Sequence, residues 1–250
     1  MCRTAFLSLV LFVGTSSAAD TPRVFELHAE TAAPGKQNAL QTKLREKMPR
    51  LWERHGMTHL GTWTPIDKSD NRVFYLLGWP DRKARSLSWD AYHADPAVKG
   101  MSTEVDREGK VVVGSESWLL TPTSYSPKIQ RENKGPRVFE LRFYTATPDN
   151  LEALSDRFRD YTCKLFEKHG MTNVAYWTPL KEAGNATDKF VYLLAHKDEA
   201  AAKASLAAFQ ADPEWIKVKE RSEKKAGGPL TVKDGIKSVL LKATDESPIK

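Results

Sequence analysis

The sequence predicts an α+β chain built as two tandem βαββαβ units of the ferredoxin-like type. Three observations predict it. Arg-Val-Phe-Glu-Leu occurs at residues 23–27 and again at 137–141, so the second copy starts 114 residues after the first (137 − 23). Within each copy, runs of period-two alternation and runs of three- and four-residue spacing follow in the same order. Departures from strict spacing fall in turns, as expected when a unit has been duplicated and only its loops have drifted.

In the first unit, residues 23–30 alternate: Phe25, Leu27 and Ala29 point one way, and Val24, Glu26, His28 and Glu30 the other, which makes a strand with unlike faces. Pro34-Gly35 is a turn. Over 36–55, Leu40, Leu44, Met48, Leu51 and His55 form one helical stripe, with Pro49 expected to kink the helix or restart it. Gly56 is placed to end it in a left-handed cap. Residues 57–64 read as a second strand stopped by Pro65, and 73–79 as its hairpin partner across the polar turn 67–71. Asp81 can cap a helix to 94, Asp95-Pro96 restarts a helical segment to about 105, and 111–120 is the fourth strand. Residues 122–136 are a linker rich in Pro, Gly and Ser, which bounds the first domain at 23–121.

The second domain, 137–243, repeats the order. Residues 137–144 are a strand with Phe139, Leu141 and Phe143 on one face and Val138, Glu140, Arg142 and Tyr144 on the other. Thr147-Pro148 starts a helix whose expected stripe is Leu151, Leu154, Phe158, Tyr161 and Leu165. Strands follow at 171–178, 190–195 and 232–242. Asp198 opens a helix to 211, and Asp212-Pro213 repeats the restart. Residues 244–250 read as a polar tail. The run 51–57, Leu-Trp-Glu-Arg-His-Gly-Met, returns at 165–171 as Leu-Phe-Glu-Lys-His-Gly-Met, and Trp63-Thr64-Pro65 returns as Trp177-Thr178-Pro179. Three extra residues in the second hairpin move the offset to 117, after which Tyr75 matches Tyr192 and Asp95-Pro96 matches Asp212-Pro213.

Residues 1–19 read as a secretory signal peptide: Arg3, an apolar run over 5–13, and a small-residue region ending near Ala19. This predicts a secreted or periplasmic protein. No later segment is long and apolar enough for a transmembrane helix. Cleavage leaves 37 basic against 32 acidic residues (+5), interleaved along the chain, which is not a nucleic-acid footprint. The basic run 217–225 also contains Glu220 and Glu223 and reads as a solvated helix face. Cys163 is the one cysteine beyond the leader, so an internal disulfide is excluded. It reads as a packed thiol. Asn185-Ala186-Thr187 fits a glycan acceptor. There is no Gly-rich phosphate loop, Gly-x-Ser-x-Gly or Cys-x-x-Cys, no metal-ligand spacing, and no cofactor is predicted.

The repeated Val-Phe-Glu-Leu strand, the Phe/Trp-Glu-Lys/Arg-His-Gly-Met turn, the Trp-Thr closing the second strand and the late Asp-Pro together resemble the NIPSNAP family, within the dimeric α/β-barrel superfamily. The family often has proline before the Leu-Phe-Glu-Lys-His-Gly run; Pro49 matches this, and Cys163 stands there in the second half. The resemblance implies that the two units face each other, sheet to sheet, as an intramolecular dimeric barrel. It implies no reaction. Animal members are linked to mitochondria and to vesicle or mitophagy signalling, a setting from which a signal peptide separates this chain. Relatives of the barrel fold include cofactor-independent monooxygenases and haem-handling proteins.

Candidate site residues follow from the first strands. Glu26, His28, Glu140 and Arg142 lie opposite Phe25, Leu27, Phe139, Leu141 and Phe143. The expectation is that the apolar faces meet the helices and the charged faces turn into the barrel, where they anchor a small ligand together with Tyr144. A structural ion-pair network is the alternative. Trp63, Trp177, Tyr75 and Tyr192 are candidate walls of that pocket, or plain core. His55 and His169 stand in the last turn of a helix and read as structural. Two functions remain: a non-catalytic binding or interaction protein, or an enzyme of the monooxygenase or haem-handling type. Further homo-oligomerisation is left open.

Overall fold

The computed structural model describes residues 21–107, 109–180 and 188–250. The signal peptide and the glycan acceptor lie outside the described residues. The first unit runs β1 (Val24–Ala32), α1 (Gln37–Glu46), α2 (Met48–Arg54), β2 (Thr58–Pro65), β3 (Arg72–Trp79), α3 (Arg82–Ala94), α4 (Pro96–Arg107) and β4 (Val112–Pro122). The second runs β5 (Val138–Ala146), α5 (Leu151–Arg157), a π-turn (Phe158–Thr162), α6 (Cys163–Lys168), β6 (Thr172–Pro179), β7 (Lys189–His196), α7 (Glu199–Ala211), α8 (Pro213–Ala226) and β8 (Thr231–Ala243).

The strands close one antiparallel barrel in the order β1-β3-β2-β8-β5-β7-β6-β4. Within each half the order is that of a ferredoxin-like sheet. The halves join at two seams, β2 with β8 (Trp63 opposite Ala243) and β4 with β6 (Pro122 opposite Trp177). Each lone sheet would end in two unpaired edges, and the seams remove all four. The two units are thus one fold, as the repeat predicts. β4 runs to Pro122, one residue into the expected linker.

Which face turns inward is the reverse of the expectation. Phe25, Leu27, Trp63, Phe139, Leu141 and Trp177 form a single core inside the barrel, drawn from both halves. Glu26, His28, Glu140 and Arg142 lie on the helix-covered side. Alternation separates two faces but does not say which is which. An eight-stranded barrel is just wide enough for side chains to fill it, so an unsolvated charge there would be prohibitive. On the helix side, long polar side chains reach the sheet and keep their heads near solvent. The helix-facing layers are otherwise apolar: Leu40, Trp52, Leu77 and Trp79 in the first half, and Leu154, Phe158, Phe166 and Leu194 in the second.

Local signals hold well. Asp81 and Asp198 cap α3 and α7, accepting from Ala84 N and Ala201 N at 2.8 Å. Gly56 and Gly170 have φ of 74° and 79°, the left-handed cap that glycine supplies. Pro49 begins α2 instead of interrupting one long helix. His55 and His169 are structural: each Nε2 meets the Oδ2 of the restart aspartate, Asp95 at 2.8 Å and Asp212 at 2.7 Å. The two repeated motifs are therefore halves of one contact.

Two further expectations fail. Tyr161 is exposed, because the π-turn inserts one residue and hands its buried position to Thr162, while Leu165 stays buried with Phe166 beside it. The tail is not solvated either. Ile249 sits in the barrel core and Ser247 is buried, the former 2% exposed. Polar composition hid one apolar residue with a place to go.

In the first half the Trp63 ring lies across Gly61, so a Cβ there would stand 2.1 Å from the ring. Gly61→Ala should lower stability by about 2–3 kcal/mol in chemical denaturation, by overpacking. The equivalent position in the second half is Ala175, so Ala175→Gly should cost no more than about 1 kcal/mol.

Candidate functional site: a cleft between sheet and helices in the second half

β5 presents Glu140, Arg142 and Tyr144 to the helices because alternate residues share a face. On that face β7 adds His196 and Tyr192, and β8 adds Ser238 and Ile236 as the direct neighbours of Arg142 and Tyr144. Glu140 is the hub. It accepts from Arg142 Nη1 and from Ser238 Oγ (2.7 Å), and His196 Nε2 lies 3.0 Å from its other oxygen. Burial pushes its pKa up, but the His196 bond, the Arg142 charge and the Ser238 bond together outweigh it and hold the carboxyl down at about 2.

Arg142 continues the chain of contacts. Its Nη2 donates to Tyr144 Oη at 3.3 Å, and Tyr192 Oη donates to the same oxygen at 3.0 Å. The Tyr144 oxygen is thus met by two donors, which leaves its own O–H free to donate outward. Arg157, in the last turn of α5, approaches from the helix layer with its guanidinium 5.1 Å from the Trp215 ring centroid. Its side chain is 5% exposed, yet the nearest carboxylate, Glu223, is 3.6 Å away. Burial lowers its pKa. Nε of both Arg142 and Arg157 is buried without a hydrogen-bond partner.

The π-turn helps set Arg157 in place: Thr162 Oγ1 donates to the Arg157 carbonyl at 3.1 Å, and such turns are frequent at functional sites. Arg142, Tyr144 and Arg157 line a cleft of about 950 Å³ walled by Phe166, Phe209 and Trp215. That is the size of a small-molecule site.

The equivalent face of the first half is arranged differently. Arg85 Nε and Trp89 Nε1 donate to Glu26 at 2.7 and 3.0 Å. His28 is stacked on Tyr75, ring centroids 4.6 Å apart, and Tyr75 Oη donates to Glu30 at 3.0 Å. Burial lowers the His28 pKa to about 4 against the pull of Glu26, so His28 is neutral at pH 7. At the 117-residue offset, Arg85 and Trp89 become Ala202 and Leu206. The two side chains that reach over β1 are therefore missing over β5, and the cleft is what they leave.

Of the residues singled out from sequence, Glu140, Arg142, Tyr144 and Tyr192 come together here. Glu26, His28 and Tyr75 come together in the first half, while Trp63 and Trp177 are barrel core and lie apart from both groups. Sequence reading missed Arg157, Ser238, His196 and Trp215. Arg157 was readable, since it stands three residues after Leu154 in the buried stripe; the other three come from elements distant in sequence. Cys163 is half-buried with its pKa raised to about 11 by burial, the behaviour of a packed thiol. Among the described residues, no three His, Cys, Asp or Glu side chains converge as a metal site, and no helix is long and apolar enough to cross a membrane.

The NIPSNAP sequence profile matches residues 25–127 and 139–231. Two solved structures align over nearly the whole chain. A candidate monooxygenase from Fusobacterium nucleatum has TM-score 0.59 and 11% identity, covering 89% of this chain and 93% of its own. An anthrone oxidase-like protein has TM-score 0.62 and 14% identity, covering 92% and 95%. A NIPSNAP family protein of unknown function from Agrobacterium tumefaciens aligns with 49% of this chain and all of its own, at 16% identity and TM-score 0.39. No curated protein matches.

Proposed function

The chain belongs to the NIPSNAP family, and from that premise we propose that it binds a small organic ligand in the second-half cleft. The observation that carries this is a cavity of about 950 Å³ that Arg142, Arg157 and Tyr144 line together with Phe166, Phe209 and Trp215. The signal-peptide reading places the activity in the periplasm or outside the cell, and the first half is then a scaffold that completes the barrel.

The test restores to the second half what the first half has. Leu206→Trp should fill the cleft without disturbing the barrel core. In a ligand-observed NMR fragment screen, fragments that bind the purified protein should lose binding at least tenfold in Leu206→Trp. Fragment binding that Leu206→Trp leaves unchanged would reject the cleft as the site.

A second reading is a cofactor-independent oxygenase. Its support is the likeness in fold to the candidate monooxygenase and the anthrone oxidase-like protein, which is a warrant from fold alone. Oxygen uptake on incubation with an anthrone would favour it. Tyr144, with its outward O–H, is then the group to replace by Phe.

A further inference from the structure

We propose that the ligand of the second-half cleft is an amphipathic organic anion, held head-first: its carboxylate on Arg157, Arg142 and Tyr144, its apolar body leading out between Ile216 and Ile236. This rests on the cleft being a ligand site and names the chemistry that fits it.

The cleft is lined by four cationic side chains, Arg142, Arg157, Lys219 and Lys233, against three carboxylates, Glu220, Glu223 and Asp234. Arg142 is matched by Glu140, which already has three partners within hydrogen-bond distance. Arg157 is not matched in the same way, since Glu223 stands 3.6 Å from Nη1 and Ser222 Oγ 3.4 Å. A planar guanidinium is shaped to take a carboxylate by two parallel bonds. The Tyr144 hydroxyl, already an acceptor twice over, has its proton left to give. These three side chains line one part of the cavity, and no lone pair among the three is left to receive a cationic or donor-rich head.

The exit is apolar. Ile236 lies on the helix-facing side of β8, directly opposite Tyr144, where side chains should be covered, yet it is 45% exposed. Ile216 on α8 borders the same cleft and is 43% exposed. These are two of the five large hydrophobic side chains found exposed among the described residues, and they flank one opening. Phe209 and Trp215, 4.5 Å apart between ring centroids, continue the apolar wall inward. A head that needs three donors and a body that needs four apolar side chains describe a fatty or aryl-alkyl carboxylate better than a small inorganic anion.

The test uses purified protein and three probes: decanoate, its neutral amide decanamide, and acetate. Binding is followed by methyl NMR of Ile216 and Ile236 and by calorimetry. Decanoate should shift both methyls and bind at least tenfold more tightly than either other probe. Arg157→Met should weaken decanoate at least tenfold and leave decanamide unchanged. Arg157→Lys, which keeps the charge but not the planar fork, should fall between, and it keeps the comparison readable if the Met variant folds poorly. Decanamide binding as tightly as decanoate, with Leu206→Trp abolishing both, would overturn the anionic head while leaving the cleft as a site. Acetate equal to decanoate would overturn the apolar exit. Failure of all three probes to move either methyl would overturn the proposal, whereas the fragment screen decides the cleft itself separately.

Discussion

Glu140→Gln should lower stability by about 3–5 kcal/mol at pH 7, read as a shift in the urea midpoint, because it strips a buried arginine of its counter-charge. Arg142 is 6% exposed and reaches water only along the edge of the cleft. The pH dependence follows from sign. The folded pKa is held at about 2 against an ordinary 4.5, so the native state prefers the ionised carboxyl. The stabilisation is complete above pH 4.5 and drains away as pH falls through the window from 4.5 to 2, amounting to about 3 kcal/mol. Wild type and Glu140→Gln should therefore differ most at pH 7 and converge near pH 2. Equal midpoints at pH 7, or a gap that persists at pH 2, would contradict the assignment of Glu140 as hub. Glu26→Gln is the internal control. Its partner Arg85 is 26% exposed in the side chain and can turn to solvent, so the cost should be nearer 1–2 kcal/mol.

The contrast between these two glutamates shows how far sequence could lead. The repeat, the element order and the pairing of halves were all legible, because period, caps and turns are local signals and a duplicated unit repeats them. Val-Phe-Glu-Leu told the two faces of β1 and β5 apart. It did not tell which face met the other half, since that depends on the width of a barrel assembled from eight strands. The same limit explains the site. Glu140, Arg142 and Tyr144 are one strand and were found together; Ser238, His196 and Arg157 join them only through pairing and packing. The open cleft was encoded in a comparison between copies: Arg85 and Trp89 against Ala202 and Leu206. Each pair looks like an ordinary helix surface when read alone.

Duplication has a physical consequence for function. A symmetric pair of identical units must repeat in one unit any site built within the other. Once both units lie on one chain, each copy can change while the shared core holds the other in place. Here the barrel core, drawn from Phe25, Trp63, Phe139 and Trp177 alike, is common property. The helix-facing layers are not shared: one has been closed over β1 by Arg85 and Trp89, and the other left open over β5.

Deleting residues 245–250 should cost about 3–5 kcal/mol, although composition marks them as a dispensable polar tail. Ile249 fills one end of the barrel at 2% exposure, and burial of such a side chain is worth about 1.5–3 kcal/mol. Ser247 Oγ accepts from Thr62 N at 3.1 Å, inside β2, and donates to the Ile249 carbonyl at 2.9 Å. Losing it strands a buried backbone donor, a further penalty of about 1–3 kcal/mol. Lys250 N donates to the Glu132 carbonyl at 3.2 Å, and its own carbonyl accepts from Lys134 N and Arg137, so the tail also pins the linker between the halves. Ile249→Ala alone should cost about 2–4 kcal/mol, with the urea slope unchanged, because a plug is lost and not the fold. A truncated protein within about 0.5 kcal/mol of wild type, the behaviour of a solvated tail, would mean that the barrel closes without Ile249. The linker contact would then be incidental to the joining of the two sheets.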